Sequence, residues 1–302
     1  MSEAEPLAGR TAFITGASRG IGFAIAQALS KAGANVAIAA KTVTPRGKLE
    51  GTIYSAAEQI EADGGRALPV VCDIRDEDQI TAAVAQTVET FGGLDICINN
   101  ASALSLTSLE ETKAKRFDLM MGVNCRGTFL TTKACVPHLR KSDCAHVVMI
   151  APPLDMHPKW FSGHLAYSLA KYGMSLCVLG LADELKSDRV AVNAVWPRTT
   201  IATAAVKNVL GGDAMMRMSR TPAIMGDAVR LLVSQQAPDI TGQFLIDDSF
   251  LAEFGGVQDF DGYRVDPTQP LAPDFFVPDD AAPPPGVEVI PMDELRKQFG
   301  FS

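Results

Sequence analysis

The stretch "TGASRGIG" (15–22) decides the fold. It follows a short apolar run, "RTAFIT" (10–15), and opens "IGFAIAQALSKAGA" (21–34), whose apolar residues recur at helical spacing until Gly33. A strand, a glycine turn and a helix therefore come in immediate succession. Glycines at 16, 20 and 22 let backbone N–H groups and the helix N-terminus face a pyrophosphate. A Cβ at such positions would obstruct both the phosphates and the packing of helix on strand. A glycine turn alone is a weak signal; its place after the first strand and before the first helix makes it a dinucleotide-site prediction. The expected contacts are Gly16, Ser18, Arg19, Gly20, Ile21 and Gly22.

Outward from this turn, strand and helix patterns alternate. Strands are expected at 35–41, 66–73, 94–101, 146–150, 189–197 and 242–248, and helices at 52–65, 76–93, 113–141, 164–187 and 222–235. The strands are nearly continuous apolar runs, as when both faces are covered, which predicts an α/β fold: one doubly wound parallel sheet, Rossmann-like, with helices on both faces. "VTPRGKLEG" (43–51) is a loop inserted after the second strand. The folded unit is expected over 8–250. Residues 251–302 form an acidic, proline-rich extension, too poor in periodic apolar residues for a second domain. Phe275, Phe276 and Val277 could anchor it to the body or to a neighbouring subunit.

Composition narrows the function. The chain has 302 residues, 47% hydrophobic and 21% charged, which fits a soluble globular protein. A net charge of −8 argues against a nucleic-acid scaffold. Apolar runs such as "MSLCVLGLA" are shorter than a membrane span needs, and the N-terminus does not read as a secretory signal. Six cysteines without a C-x-x-C pair read as reduced thiols of a cytoplasmic protein, and no metal ligand set is expected.

"TGASRGIG", "NNAS" (99–102), Asn124 and "YSLAK" (167–171), in this order, resemble the short-chain dehydrogenase/reductase family over about residues 8–250. Within it, "AKTVTPRGKLEGTIYSAAEQIEADGG", "PPLDMHPKWF", "AYSLAKYGMSLCVLG" and "AVNAVWPRT" are similar to the hydroxysteroid dehydrogenase-like 2 branch. The chain is too short for the sterol-carrier-like domain of that branch's eukaryotic members. The resemblance implies a nicotinamide cofactor, with Asp73 at the adenine, Asn100 and Ala101 along the cofactor, and a homodimer or homotetramer built on the helices near 113–141 and 164–187.

A carboxylate after the second strand would select NAD, and a cation there would accept the 2′-phosphate of NADP. Here the strand ends "IAAKT", with Lys41, and Arg19 is close by, with Arg46 or Lys48 as additions; NADP(H) is expected over NAD(H).

Tyr167 and Lys171 are one helical turn apart and share a face. An ammonium beside a phenol lowers its pKa, so Tyr167 could exchange a proton with a carbonyl oxygen as hydride arrives at or leaves the carbon. By resemblance, Lys171 also holds the nicotinamide ribose and Asn124 holds a water that links Lys171 to solvent. The family's serine is missing: thirteen residues before the tyrosine stands Leu154, and sixteen before, in this branch's register, stands Ala151. A lost oxyanion donor costs ~10²–10³ in rate. Ser162, His157 and His164 are possible substitutes, though ordinary loop roles suit them better. After strand six, Arg198 replaces the family's glycine and hints at an acidic substrate, while Pro197, Thr199 and Thr200 could meet the carboxamide. The Ala-, Met- and Val-rich segment 199–225 corresponds to the substrate lid and suits an apolar, lipid-like ligand. A cofactor-binding protein with little turnover is the competing reading.

Overall fold

The computed structural model describes residues 5–45, 47 and 51–299. Seven strands form one sheet in the order β3-β2-β1-β4-β5-β6-β7, every pair parallel. They are β1 (Thr11–Thr15), β2 (Asn35–Ala40), β3 (Arg66–Val71), β4 (Ile96–Asn99), β5 (Ala145–Met149), β6 (Val190–Trp196) and β7 (Phe244–Ile246). The order reverses beside β1, between β2 and β4. Such a switch point opens a crevice at the carboxyl ends of the strands. The predicted fold class is the observed one.

Helices α1 (Gly20–Lys31), α2 (Ile53–Ala62) and α8 (Ala223–Val233) cover one face. Ile25, Leu29, Ile53, Ile60 and Leu232 are fully buried there, each contributing roughly 1.5–3 kcal/mol on leaving water. Helices α3 (Glu77–Phe91), α5 (Gly127–Leu139) and α6 (Leu165–Glu184) cover the other, with Ile80, Leu139, Met174 and Val178 in a second core. The expected helix over 113–141 is α4 (Ala114–Met120), a π-helical segment (Met121–Arg126) and α5 in one run. Asn124 sits in the π-helical turn, a feature that apolar spacing does not disclose.

α6 has 20 residues of hydropathy 1.3 and, by length and composition alone, could cross a membrane, which the sequence reading had not anticipated. It packs as a core helix, with 56% of that window buried.

The expected boundary at residue 250 falls inside α9 (Asp247–Gly255). Beyond it the extension is irregular apart from a 3-10 turn (Asp261–Tyr263) until α10 (Met292–Phe299), yet it is packed into the body. Leu271, Ala272, Phe276 and Leu295 are buried. Pro273 bridges Thr199 in an antiparallel contact, with Thr200 N–H donating to Ala272 O at 3.0 Å and Asp274 N–H to Arg198 O at 2.9 Å. The anchoring expected of Phe275 and Phe276 is to the chain's own body. The short helix α7 (Gly212–Arg217) lies in the lid segment.

Candidate active site

A cleft of about 1680 Å³ opens at the switch point. Its walls carry ten of the predicted cofactor contacts: Gly16, Ser18, Arg19, Gly20, Ile21, Gly22, Lys41, Asp73, Asn100 and Ala101. The lid residues Ala202–Ala205 and Lys207–Val209 form part of the opposite wall. The remaining predicted contacts, Lys171, Pro197 and Thr199, are not on it.

The fit of a dinucleotide can be tested on the glycine turn itself. A Cβ on Gly16 (φ +67°) would lie 2.8 Å from Ala101 Cα, and one on Gly22 would lie 2.3 Å from Asn100 Nδ2. Asn100 Nδ2 donates to Thr15 O at 2.9 Å, while Thr15 Oγ1 accepts from the N–H groups of Asn100 (3.0 Å) and Ala101 (3.1 Å). The "NNA" segment thus fixes the turn; Thr15, which sequence reasoning missed, is its hub. Helix α2 begins with a Thr52–Ser55 capping box and α3 with Asp76 as cap, but α1 has no side-chain cap. Its first N–H groups and positive dipole end are left for an anion in the cleft, and the residues present fit a dinucleotide pyrophosphate.

At the adenosine end, Lys41 Nζ is 3.7 Å from Asp73 Oδ2. Asp73 is also bound by Arg75, which is the main cause holding its carboxyl down at about 2. Asp73 is therefore an ionised partner of two cations as well as a wall residue. Arg19 Nη2 donates to Gly51 O, tying the glycine turn to the end of the inserted loop. Arg46 and Lys48 lie outside the described residues.

Tyr167 and Lys171 share the first turns of α6 and are both buried, at 8% and 3% exposure. The Lys171 ammonium donates to Ile150 O at 2.9 Å and lies 5.0 Å over the Trp196 ring. Burial lowers its pKa to about 8, opposed by Asp274. Tyr167 departs from the expected electrostatics: its phenol is pushed well above the ordinary value, by burial first and by Asp274 second. Water exclusion sets this direction, and the Lys171 ammonium is directed at a backbone carbonyl. Asn124 also has a structural role that the sequence did not disclose. Its side chain accepts from Ala103 N–H at 2.7 Å and donates to Ala103 O at 3.0 Å, so it fastens the segment after β4 to the π-helical turn.

Position 151 and Arg198 are both enclosed, and the second overturns an expectation. Ala151 is fully enclosed and belongs to the second core with Met149 and Met174, whereas Tyr167 belongs to the first. Ala151 lies two residues beyond β5, with its N–H donating to Met149 O at 2.9 Å. Arg198 is not a cation at the mouth. It is 4% exposed, with Nε donating to both oxygens of Asp248 (2.8 and 2.9 Å), Nη2 to Ser249 Oγ, and Nη1 to Ala281 O at 2.6 Å. It clamps the extension. His157 caps the turn Pro158–Trp160, and His164 is buried against Phe275 with its pKa lowered to about 4, chiefly by burial. Ser162 is exposed on the same loop. Trp196, Asp274 and Phe276, near the Tyr–Lys pair, were not predicted as site residues; the extension's composition carries no signal of where it docks.

Residues 10–212 match the short chain dehydrogenase family. The chain is 55% identical over 271 residues to hydroxysteroid dehydrogenase-like protein 2 of Xenopus tropicalis, covering 90% of this chain and 64% of that protein. It thus spans under two thirds of that curated relative. Among solved structures, a short chain dehydrogenase from Mycobacterium thermoresistibile is 49% identical with a TM-score of 0.86, covering 93% of this chain and 99% of that one. A metagenomic short-chain oxidoreductase in complex with NADP is 26% identical with a TM-score of 0.66, covering 80% and 97%. With the glycine turn, the switch-point cleft and the Tyr–Lys pair in place, the chain belongs to the short-chain dehydrogenase/reductase family.

Proposed function

We propose that the protein is an NADP(H)-dependent oxidoreductase that interconverts a carbonyl and a hydroxyl on an apolar, lipid-like substrate. The observation that carries this reading is the Tyr167–Lys171 pair at the start of α6, set by the ends of β5 and β6 through Ile150 O and the Trp196 ring; neither side chain is on the cleft wall, which the ends of β1–β4 form. When bound, the nicotinamide supplies or takes the hydride. Gly16, Gly20 and the uncapped start of α1 receive the pyrophosphate, and Lys41 with Arg19 receives the 2′-phosphate. The NADP bound by the metagenomic relative supports that cofactor.

Tyr167 gives its phenolic proton to the substrate oxygen during reduction and takes one back during oxidation. The phenol is protonated at neutral pH, as the donor in reduction must be, and burial makes it give up that proton less readily than an ordinary phenol. Lys171 holds the ribose and steadies the phenolate left after transfer. In the antiparallel bridge to Pro273, the backbone groups of Thr199 face away from the extension and are available to the carboxamide. With Ala151 sealed in the core, Tyr167 alone polarises the carbonyl.

Exposed Phe117, Phe129, Leu165, Leu169, Leu176 and Leu179 on α4, α5 and α6 support a homo-oligomer joined through these helices. Six free thiols support a cytoplasmic protein. The competing reading, an NADP(H)-binding protein with little turnover, is favoured by one observation: the Tyr167 ring is buried against Phe276.

The test is to measure NADPH and NADH binding by fluorescence and NADPH oxidation over a panel of apolar ketones. Tighter NADPH binding, with turnover that Tyr167→Phe abolishes, is expected. Binding without turnover on any ketone favours the second reading, and tighter NADH binding overturns the cofactor assignment.

A further inference from the structure

The C-terminal extension contributes four residues, Pro273–Phe276, to the surroundings of the Tyr–Lys pair. Phe276 is fully buried. Its ring centroid is 5.7 Å from Trp160, 5.6 Å from Tyr172, and 6.0 Å from each of Tyr167, Trp196 and His164. Tilted and edge-on rings at such separations attract one another beyond the burial of their area. Phe276 also has φ +67°, a left-handed conformation costly for a bulky residue and kept only where the surroundings over-determine it. Trp196 connects the segment to Lys171: its indole N–H donates to Phe275 O at 2.7 Å, and its ring lies under the Lys171 ammonium.

We infer that Pro273–Phe276 is part of the catalytic centre, with Phe276 and Asp274 as positioning residues: Phe276 braces the ring of Tyr167, and Asp274 sets the charge balance at Lys171. This rests on the reductase reading above. Sequence position hides it, because the segment lies more than a hundred residues beyond the tyrosine and outside residues 10–212, which match the family.

The phenol of Tyr167 has few ways to keep its direction. Its i+4 neighbour bonds to a backbone carbonyl, and the hydroxyl that usually shares the substrate oxygen is absent. A rigid ring behind it limits its rotation. Asp274 is held by its N–H on Arg198 O and accepts from Phe275 N–H at 2.7 Å. The charges of Lys171 from α6 and Asp247 from α9 act on it, and its own charge acts on Tyr167 and Lys171. Burial pushes its carboxyl up to about 7, against the pull of Lys171.

The experiment compares wild type with Phe276→Ala, Phe276→Leu and Asp274→Asn in the full chain. Phe276→Ala is expected to lower kcat by about 10- to 100-fold through misplacement of the phenol. NADPH affinity should stay within about threefold, a small free-energy change, because the extension does not line the cleft. Phe276→Leu should recover part of kcat. Independently of turnover, labelling of Lys171 by an amine reagent, followed by mass spectrometry across pH, should show its midpoint moved down in Asp274→Asn, where the ammonium loses a negative neighbour. Wild-type kcat in Phe276→Ala overturns the inference. If wild type itself reduces no ketone, that counts against the reductase reading alone, and an unchanged Lys171 profile in Asp274→Asn then overturns this inference. The same profile decides if Phe276→Ala loses NADPH binding through general collapse.

Discussion

Lys171 Nζ donates to Ile150 O at 2.9 Å, one residue before Ala151. A cation with one carbonyl, the Met174 sulfur at 3.8 Å and one indole face as partners keeps its charge in a place with little water. Its pKa therefore falls from 10.5 to about 8.

The pH dependence of stability follows from that fall. Between about 8 and 10.5 the unfolded chain binds the Lys171 proton and the folded chain releases it, so this group makes stability rise with pH through that window. The size is about 3 kcal/mol. The unfavourable contribution is fully present below pH 8. Chemical denaturation of wild type and Lys171→Met across this range isolates it: the wild type should gain relative to the variant as pH rises. A constant difference would show that the ammonium is not held against its burial.

Gly22→Ala should damage both fold and cofactor site. Its Cβ would lie 2.7 Å from Gly16 O and 2.3 Å from Asn100 Nδ2, so the backbone of the turn must move. Such overpacking costs about 1–3 kcal/mol. NADPH affinity should fall more than stability does, because the displaced atoms form the phosphate cradle. Fluorescence titration and thermal melting measure the two, and intact binding would argue against this placement of the cradle.

Arg198→Ala should release the extension. Arg198 and Arg220 share the fully buried Asp248, and breaking such a pair costs about 3–5 kcal/mol. The carbonyls of Ala281 and Ala282 also lose their donor. The melting temperature should drop, and limited proteolysis should cut beyond residue 255 before it cuts the sheet. Cleavage at the wild-type rate would mean that other contacts hold the extension.

Ala151→Ser should not increase ketone reduction. The added hydroxyl would be enclosed with Met149 and Met174, where an unpartnered donor costs about 1–3 kcal/mol. A lower melting temperature with no gain in kcat is expected. A marked gain would place position 151 against the substrate after all.

Much of the site was readable without coordinates, for a local reason. The glycine turn, "NNA" and Lys41 are set by residues next to a strand end, and in a parallel sheet every such end lies on one edge of the fold. Ten contacts on the cleft follow from that rule. Asn124 was legible as a residue of interest but not as the fastener of Ala103, because a π-helical turn leaves no mark in apolar periodicity. Arg198 was misread because a cation in a loop is exposed unless something distant covers it, and Asp248 lies fifty residues on.

The amino-acid sequence alone determined the alternating parallel sheet, the switch-point cleft and the one-turn spacing of Tyr167 and Lys171, since each depends on neighbours within a few residues. The tertiary structure decided what surrounds that pair: the carbonyl of Ile150, the ring of Trp196, and the extension bringing Asp274 and Phe276. Those contacts link segments far apart in the chain. Their effect on a phenol and an ammonium comes from excluding water, a property of the packed fold that no local pattern encodes.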